Sequence, residues 1–274
     1  LDRYFSNAEA FCADLNAWLD DKKTESLGLI DFQPYTVDKL NKLAFMCATG
    51  SGKTLIMHMN ILQFLYYFKR AKRLNSKLSI NKVIVLAPNE GMSKQHLEEL
   101  ALSSIPAAMF QKDRGFTTRR DDVIVIDMNK LKEEGKVKTV SVDSFEQNNL
   151  VLVDEGHRGL SGDVWYDYRT RLSAEGFAFE YSATFKQALN FVYPDLVVYN
   201  AGGLLGGQNQ VHAEASSDLG DTDQFLHEIR LLPLELRKLI NDDEQMRNRL
   251  GDLTVFIQHG IFIDIVDAGS IEHP

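Results

Sequence analysis

"FMCATGSGKTLIM", residues 45–57, passes from a short apolar run through a glycine-bearing turn into a long apolar-rich segment. The strict pattern for a loop that cradles phosphate, G-x-x-x-x-G-K-[ST], has a glycine where this chain has Cys47. Every later position of the pattern is kept. Gly50 and Gly52 permit a tight turn in which successive N–H groups face phosphate oxygens, and a helix starting near Lys53 adds its N-terminal partial charge. Lys53 is placed to reach the β- and γ-phosphates, and the Thr54 hydroxyl to ligate Mg²⁺. Thr49, Gly50, Ser51, Gly52, Lys53, Thr54 and Leu55 are therefore the candidate nucleotide contacts. A chance Lys-Thr on a glycine-rich turn is the bland alternative. The agreement of strand, loop and helix around these residues weighs against it.

Working outward, short apolar runs recur at 43–48, 82–88, 122–128, 149–155 and 177–184. Most are near-continuous, as strands buried on both faces of a parallel sheet are. Helical patterns separate several of them, notably 53–74 and 91–102. The expected fold class is α/β, a mostly parallel sheet with helices on both faces. Phe5, Ala8, Phe11, Cys12, Leu15, Trp18 and Leu19 form one stripe at helical spacing, so residues 1–30 read as a helical extension packed on the main domain. The main domain is expected over 31–198. Residues 199–223 read as a linker, 224–250 as helix broken before Pro233, and 253–269 as strand-like, leaving 199–274 unassigned.

The second chemical feature is "LVLVDEGHRG", 150–159, in which four apolar residues end in two acids. The carboxyl edge of an open parallel sheet is where ligands bind. Asp154 is placed to hold Mg²⁺, and Glu155 to polarise a water for attack on the γ-phosphate. A lone Asp-Glu pair would be read as a solvated strand end. Paired with the loop at 48–54, it reads as the other half of a nucleotide site.

"ATGSGKT" (48–54), "DEGH" (154–157) and "SAT" (182–184), in this order, resemble motifs I, II and III of superfamily 2 helicases and translocases. "VIVLAPNE" (83–90) falls where motif Ia would be. Within the superfamily the resemblance is to the motor subunits of type III and, less closely, type I restriction enzymes and related phage-defence helicases. It covers residues 30–190, the first of two RecA-like domains. The resemblance implies a P-loop NTPase that couples ATP hydrolysis, with Mg²⁺, to movement on double-stranded DNA. It implies a modification or specificity subunit, or another defence-system protein, as partner, and a prokaryotic cytoplasmic setting. It gives His157 a linking role beside Lys53, Asp154 and Glu155. Ser182, Ala183 and Thr184 become coupling residues, and Pro88 and Asn89 neighbours of the nucleic-acid backbone.

Two departures qualify the resemblance. Such motors often read adenine through a glutamine after a Pro-Tyr pair, and here Thr36 stands at that place in "FQPYTVDKL" (32–40). Gln33 is a substitute, and Tyr35 or Phe32 either stacks on a base or packs in the core. No Q-x-x-x-R-x-x-R box of a second RecA-like domain is present, so slow turnover is expected from this chain alone. A fragment of residues 1–200 is expected to bind ADP–Mg²⁺ with little DNA-stimulated turnover. An endodeoxyribonuclease activity is expected only of a fuller protein, and beginning at Leu1 the chain reads as a piece of one.

Composition sets the outer bounds. The 274 residues are 44% hydrophobic and 25% charged with a net charge of −9, which suits a folded core and argues against a surface coated for nucleic acid. "KRAKR" (69–73) and "KDRGFTTRR" (112–120) read as solvated faces, with a local basic track as the alternative. Cys12 and Cys47 make neither a disulfide framework nor a metal spacing. No apolar run reaches the ~18–20 residues of a spanning helix, and no signal peptide is evident. A nucleotide switch or protein remodeller that works without nucleic acid is the competing expectation.

Overall fold

The computed structural model describes residues 1–25, 34–46, 52–110, 122–131, 142–155, 163–182, 197–200, 234–256 and 266–267. In chain order the strands are β1 (Lys42–Met46), β2 (Val83–Ala87), β3 (Ala107–Met109), β4 (Val123–Asp127), β5 (Leu150–Asp154), β6 (Phe177–Ser182), β7 (Val197–Asn200) and β8 (Val266–Asp267). The helices are α1 (Asp2–Glu25), α2 (Lys53–Leu74), α3 (Glu90–Leu102), α4 (Asp163–Leu172), α5 (Leu234–Asp242) and α6 (Glu244–Phe256). The strands form one sheet in the order β3-β4-β2-β5-β6-β1-β7-β8. Every pairing is parallel except that of β7 with β8. This is the expected α/β fold, and its central strands fall within a residue or two of the apolar runs that announced them.

The continuous hydrophobicity of those runs has a direct cause. Alternate residues of each strand enter different cores. Val83, Val85, Val123, Val125, Leu150, Leu152, Phe177, Phe179 and Tyr181 face the cluster containing α2, α5 and α6. Ile84, Leu86, Ile124, Ile126, Val151 and Val153 face the cluster that holds Tyr168 and Leu172 of α4. With both faces covered, β2, β4 and β5 carry no polar residue until the sheet's carboxyl edge, while β6 buries one acid, Glu180, within its run.

The N-terminal stripe packs as its spacing implies. Cys12, Leu15 and Leu19 are buried with Tyr35 and Leu40, while Phe11 and Trp18 lie partly buried against them. Phe5 meets Phe64 and Phe68 of α2 edge-to-face. Asn16 fastens this helix to the chain ahead of β1. Its side chain accepts from the Tyr35 amide at 2.7 Å and donates to the Tyr35 carbonyl at 3.0 Å.

Three features differ from the sequence reading. β3 was not visible because a three-residue, half-buried edge strand leaves almost no period to detect. Residues 253–256, expected as strand-like, are the last turn of α6, and Val266–Asp267 are the strand described farther on. Short runs such as "LTVF" carry β-branched and aromatic residues that fit either state, and packing decides between them. Finally, β7 pairs with β1, and Leu236, Ile240, Met246 and Leu250 are buried in the main core. The sheet and its core thus extend past residue 198.

Candidate functional site

β1, β5, β6 and β2 all end at the same carboxyl edge, because they are parallel. Register fixes what meets there. Asp154 pairs with Tyr181, and Ser182 pairs with Met46 immediately before the glycine-rich turn. The turn enters α2 at Gly52, which caps the helix in the left-handed region at φ 81°. Among the described residues a Cβ added there would touch nothing within 4 Å, and it is the left-handed backbone that calls for glycine. The Ile56 amide donates to the Gly52 carbonyl at 3.0 Å, closing the first helical turn.

Lys53, the first residue of α2, brings its ammonium between the two acids. Nζ lies 3.1 Å from Asp154 Oδ1 and is hydrogen-bonded to Glu155 Oε1. Lys53 and Glu155, 102 positions apart in sequence, thus meet in one cluster. Burial pulls the Lys53 ammonium down, but the hydrogen bond it donates to Glu155 and the two carboxylate charges outweigh it and hold its pKa above the usual lysine value. Asp154 is 1% exposed. Burial alone would raise its carboxyl. The hydrogen bond and charge of His96, and then those of Lys53, hold it below the ordinary range, so the acid is ionised at neutral pH.

Glu155 follows in a left-handed conformation, φ 53°. That region is unfavourable for a residue with a Cβ by ~1–2 kcal/mol. It is held by the Glu155 amide donating to Asp154 Oδ1 at 2.9 Å. Backbone strain of this kind concentrates at functional sites, where the surrounding structure over-determines it.

His96, not singled out by the sequence, completes the cluster. Its Nε2 is 2.8 Å from Asp154 Oδ2, and both side chains are buried. The sequence does carry a signal: Ser93, His96 and Leu100 form the buried stripe of α3, and a histidine on such a stripe must find a polar partner.

Of the remaining candidates, Thr54 and Leu55 lie half-buried in the first turn of α2, beside Lys53. Ser182 is fully buried at the end of β6. Pro88 and Asn89 form the turn after β2. Asn89 caps α3 by accepting from the Met92 amide at 2.9 Å, and the Pro88 carbonyl accepts from Asn129 at 3.2 Å. The Tyr35 side chain is buried under α1 among Cys12, Leu15, Leu19 and Leu40, which is the core-packing alternative of the two weighed for it. Gln33, Thr49, Gly50, Ser51, His157, Ala183 and Thr184 lie outside the described residues, as do Cys47 and the basic stretch 112–120. The other basic stretch, 69–73, is at the far end of α2. A 22-residue helix spans about 33 Å, so those charges sit at the opposite edge from Lys53.

Among solved structures, the chain is similar to the Sulfolobus solfataricus SWI2/SNF2 ATPase core in complex with dsDNA, at 20% identity and a TM-score of 0.35. That match covers 57% of this chain and 32% of the other. It is also similar to the UvsW helicase from bacteriophage T4, with 13% identity, a TM-score of 0.37, and coverage of 62% and 61%. The Pyrococcus furiosus Hef helicase domain matches at 14% identity and a TM-score of 0.38, over 82% of this chain and 56% of that one. The chain thus spans less than two thirds of each of these proteins. No curated protein matches it. The family model described as type III restriction enzyme, res subunit, matches residues 13–187, more than half of the chain. The chain therefore belongs to the type III restriction enzyme res subunit family, and its core is a RecA-like domain of the superfamily 2 helicase kind.

Proposed function

We propose that this chain is the first RecA-like domain of an ATP-driven motor that moves on double-stranded DNA, in a prokaryotic restriction or phage-defence system. The observation that carries the proposal is the meeting of Lys53 with Asp154 and Glu155 at the carboxyl edge of the sheet. Lys53 serves the phosphates, Asp154 the magnesium and Glu155 the attacking water. In this structure the two acids share the one ammonium, and phosphate would compete with them for it.

The residues present suit Mg²⁺. This ion favours hard oxygen donors, and takes one or two carboxylates together with water and phosphate oxygens. Asp154 supplies an ionised carboxylate and Thr54 a hydroxyl. Among the described residues no group of three or more His, Cys, Asp or Glu gathers to hold a metal, and a site completed by phosphate and water needs none. Bound there, Mg²⁺ would neutralise charge developing on the phosphates. Glu155 would orient water, and the buried setting of Asp154 would keep its carboxylate fixed.

Coupling to DNA falls to Ser182, Ala183 and Thr184 after β6, and to Pro88 and Asn89 after β2. A modification or specificity subunit is the expected partner. Among the described residues no helix is long and apolar enough to cross a membrane.

The test is ATP hydrolysis by the full-length protein with and without double-stranded DNA, repeated with Glu155→Gln. DNA should stimulate hydrolysis, and the substitution should reduce turnover about 10²–10⁴-fold, the range for a positioned general base. Hydrolysis indifferent to DNA would replace the motor with a nucleotide switch or protein remodeller, a reading the net charge of −9 favours.

A further inference from the structure

We propose that His96 is a positioning residue for Asp154: its Nε2–H holds Oδ2 so that the carboxylate presents Oδ1 toward the nucleotide's metal. The inference rests on the nucleotide reading above and adds a residue that the motifs do not contain. The two oxygens of Asp154 are in different situations. Oδ1 has Lys53 Nζ at 3.1 Å and the Glu155 amide at 2.9 Å. Oδ2 has His96 Nε2 at 2.8 Å. When Lys53 turns to phosphate, Oδ1 gains a free lone pair while Oδ2 keeps its donor.

The arrangement is rigid from both ends. Asp154 ends β5, clasped between β2 and β6, and its side chain is on the sheet face that α2 and α3 cover. His96 sits on the buried stripe of α3, a helix that begins at the Asn89 cap and is anchored to β2 by that turn. A carboxylate hydrogen-bonded on one oxygen cannot rotate freely about its Cβ–Cγ bond. Partners of this kind are worth about 10–100-fold in metal affinity where they have been removed. To donate to the ionised carboxylate, the imidazole carries a proton on Nε2. Since α3 follows directly from Pro88 and Asn89, the contact gives the proposed DNA-facing turn a mechanical tie to the metal ligand through one helix.

The test uses Mn²⁺ as the probe and binding as the readout. Free Mn²⁺ is titrated by electron paramagnetic resonance against the full chain with saturating ADP. The wild type, His96→Ala and His96→Gln are compared, and ADP affinity is measured separately in EDTA. Expected is a roughly tenfold or greater weakening of Mn²⁺ binding in His96→Ala, unchanged ADP affinity in EDTA, and substantial recovery in His96→Gln, whose amide can still donate. Equal Mn²⁺ affinity in all three proteins overturns the inference and leaves the nucleotide site standing. So does an equal loss of ADP affinity with and without metal, which marks a structural role only. A wild type that binds no ADP overturns both readings. Should His96→Ala lower the melting temperature, the comparison of wild type with His96→Gln carries the decision alone, since the amide variant must then hold Mn²⁺ within a few-fold of wild type.

Discussion

Two histidines on neighbouring helices have opposite settings, and the contrast yields a pH prediction. His96 has a carboxylate to bond. His58, one turn beyond Thr54 on α2, is fully buried with Nδ1 2.9 Å from the Ser103 hydroxyl, and its Nε2 has no partner among the described residues. Burial, reinforced by the charges of Arg249 and His96, lowers its pKa from 6.5 to about 3. Unfolded, the ring takes up a proton as pH falls through about 6.5, whereas folded it stays neutral down to about 3. Between these values the unfolded chain binds more protons. The stability conferred by neutral His58 is therefore complete above pH 6.5 and is lost as pH falls toward 3. One such group removes on the order of 1 kcal/mol between pH 7.5 and 5.5. His58→Asn keeps a polar atom for Ser103 and removes the titration. Urea unfolding of both proteins at the two pH values should show that much less pH dependence in the variant, and equal dependence would sink the assignment. Neither histidine was legible as chemistry, since a histidine on an apolar helix face looks alike in both cases. Lys53, Asp154 and Glu155 were legible because phosphate chemistry restricts residue type and spacing.

β6 ties the motif-bearing elements together. Its consecutive residues Glu180 and Tyr181 point to opposite faces of the sheet. The Tyr181 hydroxyl accepts from Asn60 of α2 at 2.8 Å, and Glu180 pairs with Arg169 of α4 at 3.2 Å, both pairs buried. The strand leading to Ser182 is thus bound to the helix after the phosphate loop on one side and to the helix after the acid pair on the other. A buried ion pair contributes little net stability, because desolvation offsets attraction, but breaking it leaves a charge stranded. Arg169→Met or Glu180→Leu alone should each lose about 3–5 kcal/mol, while the double substitution should recover most of that loss. Chemical denaturation of the four proteins gives the coupling energy directly, and additive losses would show that the two side chains act through other partners. This pair was not visible in the sequence. Glu180 interrupts an apolar run, which betrays a buried acid, but nothing local indicates that its partner lies on α4. The strands themselves were readable for the reason the pair was not: burial on both faces writes itself along one segment, whereas a long-range partner does not.

The C-terminal helices decide how large the folding unit is. α5 and α6 place Leu236, Ile240, Met246 and Leu250 in the same core as Phe64, Phe179 and Tyr181. Polar contacts locate them. Asp243, between the two helices, accepts from the Met246 amide and from the Ser104 hydroxyl, each at 2.9 Å, and Arg249 pairs with Glu99 of α3. The sequence left this region unassigned because its apolar residues are spaced for a helix while the segment before it is rich in Gly, Asn and Ser, so continuity with the main core could not be read along the chain. The expectation that residues 1–200 suffice to bind ADP–Mg²⁺ now meets a physical objection. Cutting there removes these four side chains, buried among the described residues, and exposes the α2 and α3 surface they cover, the same helices that carry Lys53 and His96. Leu250→Ala should then cost about 2–5 kcal/mol, as for a core leucine, rather than the ±0.5 kcal/mol of a surface change on a detached tail. Urea unfolding followed by far-UV circular dichroism measures this. A saturating ADP–Mg²⁺ series adds the linkage: if α6 belongs to the nucleotide-binding unit, ligand at about 100 times its dissociation constant should raise the stability of wild type and Leu250→Ala by the same ~2.7 kcal/mol in one cooperative transition. Two separate transitions, with only one responding to ADP, would instead make α5 and α6 an independent body resting on the motor domain.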